Sequence, residues 1–512
     1  MRVPWLLFAC GMASLSLGSL LLRLSAFSPP SLWLDDEWVA LLVRHATLPL
    51  LFLGKLPASP GFILALRSAT ALLGEGEWQL QLVPFLAGLL AILLLGVLAL
   101  RLTGSHALGF AAAAILAANP LLATYSVRVK QFTLDALVTL VLLSLAAACL
   151  STPALSRFAC LAAGAVLLLP VSFISLFLAL LLVNAIGLSM TLEGARAEVA
   201  PRRRLLVVWV GFNLAALALC WFLMLGRGNP SLYHHWRNFY LPTESAAGAA
   251  SFMVHLGSRL FTNAFPEHFG WLAVLVPVGL FRLLRRPTWR PLGIALLGLY
   301  LVVIVASGLR LYPIGGGRTD LYIAPVSILL VAVAARTEGR LGRFLTPAVA
   351  VASLGICFVS LRGIRPDYPD TGSWETMETV NKLVRDEDAL VIYPWSNYAV
   401  GYYGRWPVHL VEVPDSTNGF YAEPDRPGTL VLRETWRGAS FESDRSVVAE
   451  QLQPLLAQGY PRLVYVAIRG PIPPHTWIVE TILSQGYEVA HQESHTGAIV
   501  MVFDRHAPPS GK

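Results

Sequence analysis

The chain has 512 residues, 55% of them hydrophobic and only 13% charged, with a mean hydropathy of +0.62. No soluble domain needs that much apolar surface, so the chain reads as a polytopic membrane protein. The net charge of +7 is an arginine surplus lodged between apolar segments, which signals membrane topology rather than nucleic-acid binding.

Residues 4–22 form the first apolar run, behind Arg2. The run exceeds the ~15 residues of a cleavable signal core and no A-x-A site follows, so it reads as an uncleaved anchor with the N-terminus inside. Residues 24–80 follow as a first outer loop. Two stretches in it, 38–53 and 61–73, are apolar but interrupted by Arg44, His45, Pro49 and Arg67, which predicts helices lying in the interface. Ten further spans are expected at 82–100, 107–123, 132–150, 158–170, 172–190, 205–225, 271–283, 291–308, 320–335 and 344–361, the fourth and fifth split by Pro170. With the anchor this makes about eleven. Inner loops then carry Arg101, Arg157, Arg196 with Arg202 to Arg204, Arg282 to Arg290, and Arg336 to Arg343, alternating as the positive-inside rule demands. An odd count places the C-terminus outside.

The composition changes near Arg362. Short β-rich pieces at 389–393, 409–413, 429–433, 462–468 and 499–504 alternate with helix-like stretches at 446–458 and 475–485. That alternation predicts an α/β domain over 362–512, with a mostly parallel sheet and outside the membrane, after a transmembrane domain over 1–361. The five cysteines, Cys10, Cys149, Cys160, Cys220 and Cys357, all lie in apolar segments and read as small core residues.

Four constellations bear chemistry. Asp35, Asp36 and Glu37 sit between Trp33 and Trp38, just past the first anchor. A carboxylate at the interface suits deprotonation of a sugar acceptor hydroxyl; capping of the following helix by Asp35 or Asp36 is the alternative. Arg128 and Lys130 lie at an outer membrane end, against the positive-inside bias, so an anion such as a lipid phosphate is expected there, with snorkelling to headgroups as the alternative. Arg310 and Arg318 flank Gly315-Gly316-Gly317, whose amides can approach a ligand while the arginines clamp a phosphate; a glycine connector is the alternative, and the spacing is not that of a P-loop. The loop 226–270 carries His234, His235, Arg237, Glu244, Glu267 and His268, where a divalent metal competes with aromatic-belt packing.

Together these pieces resemble the GT-C class of membrane glycosyltransferases, in the bacterial branch similar to protein mannosyltransferases and lipid A aminoarabinose transferases. Leu32-Trp33-Leu34-Asp35-Asp36-Glu37 looks like that branch's "LW-x-DE", Ser59-Pro60-Gly61-Phe62 stands where "PPLYY" is usual, and Leu73 to Glu77 looks like "LFG-x-SE". Tyr125 to Phe132 looks like "YSQEARPY", and Tyr312 to Tyr322 resembles an arginine-containing outer loop. The chain departs from the pattern at Ser59, at Arg128 for Glu, at Lys130 for Arg and at Gln81 for Arg. The resemblance implies a polyprenyl-phosphate-linked sugar donor, transfer on the outer face to a glycan, lipid or protein acceptor, and Asp36 as the catalytic base with Glu37 its partner. Arg128, Lys130, Arg318, Arg310 and Arg237 would then neutralise the phosphate leaving group. Asp35 and Glu37 would orient Asp36 or hold a cation, and the clustered acids are expected to raise one another's pKa. A transporter or lipid flippase is the rival, although mid-span charges and an internal repeat are scarce.

Overall fold

The computed structural model of the chain describes all residues except 1, 25–26, 28–30, 194–198, 224–235, 266, 337–343, 345, 354, 356–371, 414–415, 437–438, 441–443, 469–471 and 507–512. Up to Ala335 every described element is a helix. Five are long and apolar enough to cross a bilayer: α5 (Glu77–Thr103), α8 (Phe132–Ser151), α10 (Ser175–Glu193), α11 (Val199–Leu223) and α14 (Arg290–Gly308). Helices α6 (His106–Ala117) and α7 (Pro120–Ser126) make a sixth only as a pair bent by 62°. Shorter apolar helices include α1 (Arg2–Leu24), described in full only from Phe8, α9 (Leu155–Leu168) and α15 (Ile323–Ala335).

The described residues thus give five or six spans by length and composition, where eleven were expected. The reasons are local. Pro120 cannot donate a hydrogen bond, so the run expected over 107–123 breaks there. Asn119 accepts from Leu122 N at 2.8 Å, capping α7, and its amide donates to the Asn263 carbonyl at 2.7 Å. Pro170 follows the end of α9, and the stretch expected over 271–283 opens as a 3-10 turn before α13 (Leu275–Arg285). Most of 344–361, the last expected span, lies outside the described residues, as does the expected boundary at 361/362.

The segment expected as the first outer loop folds into α2 (Leu34–His45), α3 (Leu48–Leu53) and α4 (Pro60–Leu73). Three acids in the first turn of α2 and Arg44 with His45 in its last turn complement the helix dipole. The acids do not cap the helix; its N-cap is Trp33, which makes no side-chain capping bond. Arg67 of α4 ties off the far end of α2, its Nε donating to the Val43 carbonyl and its Nη2 to those of Leu42, each at 2.8 Å, and Ala46.

The C-terminal region contains a five-stranded sheet in the order β4-β1-β7-β9-β8. Strand β1 (Ala389–Ile392) pairs in parallel with β4 (Thr429–Val431) and β7 (Arg462–Ile468). Strand β9 (Ala498–Arg505) runs antiparallel to β7 and to β8 (Tyr487–His495). The sheet is therefore mixed rather than mostly parallel, because β8 and β9 are joined by a tight hairpin and must run in opposite directions. Strand alternation divides its two faces: Ala389 and Val391 pack toward α18 (Arg445–Leu456) and α19 (Ile472–Ser484), and Leu390 and Ile392 toward α16 (Ser373–Leu383) and α17 (Asn397–Tyr403). The segment expected as a strand over 409–413 belongs to a separate antiparallel pair, β2 (Val408–Glu412) with β3 (Phe420–Pro424).

One core joins the two ends of the chain. Trp38, Leu41 and Leu42 of α2, Phe62 and Ile63 of α4, and Tyr398, Tyr402 and Phe420 of the C-terminal region form a single buried cluster.

Candidate active site

The site is built on the N-terminal turn of α2. Asp36 is fully buried, and Arg128 Nε donates to its Oδ2 at 3.1 Å. Asp35, 22% exposed, accepts at Oδ2 from Arg318 Nη1 at 2.8 Å, and Lys130 Nζ lies 3.8 Å from the same oxygen. Two carboxylates from one helical turn thus meet three cations from two distant segments. Glu37 is also fully buried, one residue further round the helix.

The cations stand on aromatic rings. The Arg128 guanidinium lies 4.1 Å from the Trp33 ring centre, Lys130 Nζ 4.1 Å from that of Trp38, and the Arg318 guanidinium 4.8 Å from that of Trp236. Tyr125 lies within the field of Arg318 and Arg128. Arg128 and Lys130 lie in the short turn between α7 and α8, closed by Lys130 N donating to the Arg128 carbonyl at 2.8 Å. Gln81 of α5 donates to the Val127 carbonyl at 2.7 Å, so the glutamine that replaces the resemblance's arginine fastens this turn. Gln131, next in the chain, accepts from Ser59 N at 2.9 Å and so ties the turn to the start of α4.

Electrostatics separates the groups. Burial works to raise the pKa of Asp35, but Lys130, Arg318 and Arg128 outweigh it and hold the carboxyl below its ordinary value. The expectation that the acids raise one another therefore fails at Asp35, where cations rather than carboxylates are the near neighbours. Burial pushes Lys130 down to about 8, against the pull of Asp35 and Asp36.

The glycine loop has a different role from the expected one. Gly315 N donates to Asp320 Oδ2 at 2.7 Å, inside the glycine turn. The turn is thus filled by a buried side chain of the chain itself. Gly315 and Gly317 have φ of 82° and 73°, which is why glycine stands there. The loop's contribution to the cluster is Arg318, the next residue.

Two expected cations lie elsewhere. Arg310, at φ 60°, pairs with Glu244 at 2.8 Å between two exposed side chains. Arg237 is exposed and, among the described residues, forms no ion pair; it is its neighbour Trp236 that reaches the cluster. His234 and His235 lie outside the described residues, and among those described no three His, Cys, Asp or Glu side chains gather as a metal site. Sequence reasoning missed Trp236, Trp38, Tyr125 and Asp320 as neighbours of the charges. The signal available for the tryptophans was their position beside charged residues at an interface.

The architecture is the GT-C fold, with apolar helices and the charged turn of α2 beside the bundle. Among solved structures it is similar to ArnT from Cupriavidus metallidurans bound to undecaprenyl phosphate, with a TM-score of 0.56 and 14% identity over 98% of each chain. ArnT from the same organism in the apo state matches with the same TM-score and identity over 97% of each chain. The likeness is one of fold. No family model matches the chain, and no curated protein matches it in sequence.

Proposed function

We propose that the protein is a bacterial plasma-membrane glycosyltransferase that moves a sugar from a polyprenyl-phosphate donor to an acceptor on the outer face, with the C-terminal region on that side. The observation that carries this reading is the meeting of Asp35 and Asp36 with Arg128, Lys130 and Arg318 in one largely buried cluster. Support comes from the fold, one of whose solved representatives is an ArnT bound to undecaprenyl phosphate.

The donor's prenyl chain lies in lipid and its phosphate reaches the cations. Arg128, Lys130 and Arg318 neutralise the charge that develops on the phosphate oxygen as its bond to the anomeric carbon breaks. The acceptor oxygen attacks the opposite face, so the anomeric centre inverts, and Asp36 takes the acceptor's proton. In the free protein Asp36 is tied to Arg128. The incoming phosphate competes for that arginine and releases the carboxylate to act as a base. Asp35, held ionised by its cations, keeps Lys130 and Arg318 aimed at one point.

The test is turnover of a polyprenyl-phosphate sugar by purified protein. Asp36→Asn should lower kcat by about 10²–10⁴-fold. Undiminished turnover in this variant removes Asp36 from the mechanism.

A further inference from the structure

At the other end of α2 the structure encloses a cavity of about 380 Å³. It is lined by Arg44 of α2, Arg67 and Thr70 of α4, Glu75, Leu80 of α5 and Tyr402 of α17. Eight residues of helix separate Arg44 from Asp36, about 12 Å along the axis, so this is a second site beside the first. From this cavity we infer a binding subsite for a hydroxyl-rich, uncharged saccharide.

The hydrogen-bonding inventory points to that chemistry. Arg67 uses Nε and Nη2 on the carbonyls at the end of α2, which leaves Nη1 without a partner among the described residues. Arg44 spends Nη1 on the Tyr402 carbonyl and turns Nε toward Glu75 at 3.7 Å, which leaves Nη2. Glu75 is 73% exposed, and so long and open a pair is weak enough to open for a ligand. The cavity therefore offers one free guanidinium nitrogen from each arginine and one carboxylate acceptor, a set that pairs with neighbouring sugar hydroxyls.

Charge argues against an ion. The lining carries both signs, Arg44 and Arg67 beside Glu75, and Glu77, outside the lining, also feels Arg44. The Glu75 carboxylate repels a phosphate and the arginines repel an ammonium. A neutral polyol meets both the donors and the acceptor, and the apolar wall of Leu80 suits a sugar's C–H face. The volume lies within the range of small-ligand pockets. The wall is rigid: Arg44 stacks 3.9 Å from the centre of the Tyr402 ring, and Arg67 is fixed by its carbonyls.

Only the word acceptor rests on the transferase reading. If the protein transfers sugar, this subsite holds a unit of the acceptor glycan away from the attacking hydroxyl. The test is binding of the full-length protein in nanodiscs to an immobilised glycan array, with glycerol 3-phosphate as the anionic control. Wild type and Asp36→Asn should retain the same class of neutral glycan, which separates this inference from the catalytic one. Arg44→Gln should weaken retention by about ten- to a hundredfold, the loss expected for a charged hydrogen-bonding group. Because Arg44 also contacts Tyr402, Glu75→Ala and the cavity-filling Ala71→Trp serve as independent variants, and both should reduce retention in folded protein. The inference is overturned if wild type retains no glycan, if folded Glu75→Ala and Ala71→Trp bind as wild type does, or if glycerol 3-phosphate is preferred.

Discussion

Lys130 is the cation of the cluster that burial brings nearest to losing its charge at working pH. Its buried pKa of about 8 lies below its ordinary 10.5. Between those values the unfolded chain binds more protons than the folded one, so this group's contribution to stability rises with pH there. The catalytic cluster loses a cation over the same step. Transfer rates should therefore fall on an alkaline limb near pH 8, and Lys130→Arg should move that limb upward; a pH–rate profile of the two proteins checks this. Asp35 has the same slope in a lower pH window. Its depressed pKa adds stability above the ordinary carboxyl value, lost only as pH falls through the lowered one. Arg128 is half of a buried pair, so Arg128→Ala strands Asp36 and should cost on the order of 3–5 kcal/mol in chemical denaturation. Adding Asp36→Leu should restore most of the loss. The acids and the alternating Arg128 and Lys130 were legible in the sequence because charge beside a membrane anchor stands out. Their aromatic supports were not, because Trp33 and Trp38 lie just before and within α2, far away in sequence, and nothing local marks the contact.

Helix α2 is held at both ends by the C-terminal region. The Tyr403 hydroxyl donates to Glu77 Oε1 and accepts from Leu32 N, each at 2.6 Å, just before the acidic turn. At the far end Arg44 lies on Tyr402. Tyr403→Phe removes the bond that fixes the entry to α2, so we expect roughly a tenfold fall in kcat with little change in donor KM, read from steady-state kinetics. The glycine loop makes a parallel case. Asp320→Ala removes the carboxylate that holds the Gly315 amide and should release Arg318, weakening donor binding by roughly tenfold in a KM measurement. Periodicity and hydropathy placed most helices near where they fold. They failed where a polar side chain and a proline act together, as at Asn119-Pro120, because a hydropathy window averages over the break.

At the scale of the whole molecule, the fold expected from the resemblance is the fold found, although identity to the solved ArnT structures is only 14%. The apolar pattern and the charged loop that suggested it are both visible in one sequence. The union of the two ends was not visible, because Leu41, Phe62, Tyr398 and Phe420 read separately as ordinary core residues. That shared core makes a prediction. A chain ending before Ser373 leaves Trp38, Leu41 and Phe62 without their partners, and it should aggregate or lose its thermal transition when purified beside the full-length protein.

The bond from Leu32 to Tyr403 spans 371 residues. At ribosomal speeds of roughly 5–20 residues per second, the acidic helix leaves the exit tunnel about 20 to 70 s before the tyrosine that orients it has been made. Throughout that interval the acidic turn lacks the hydroxyl that fixes its entry, so its final geometry is set only late in translation.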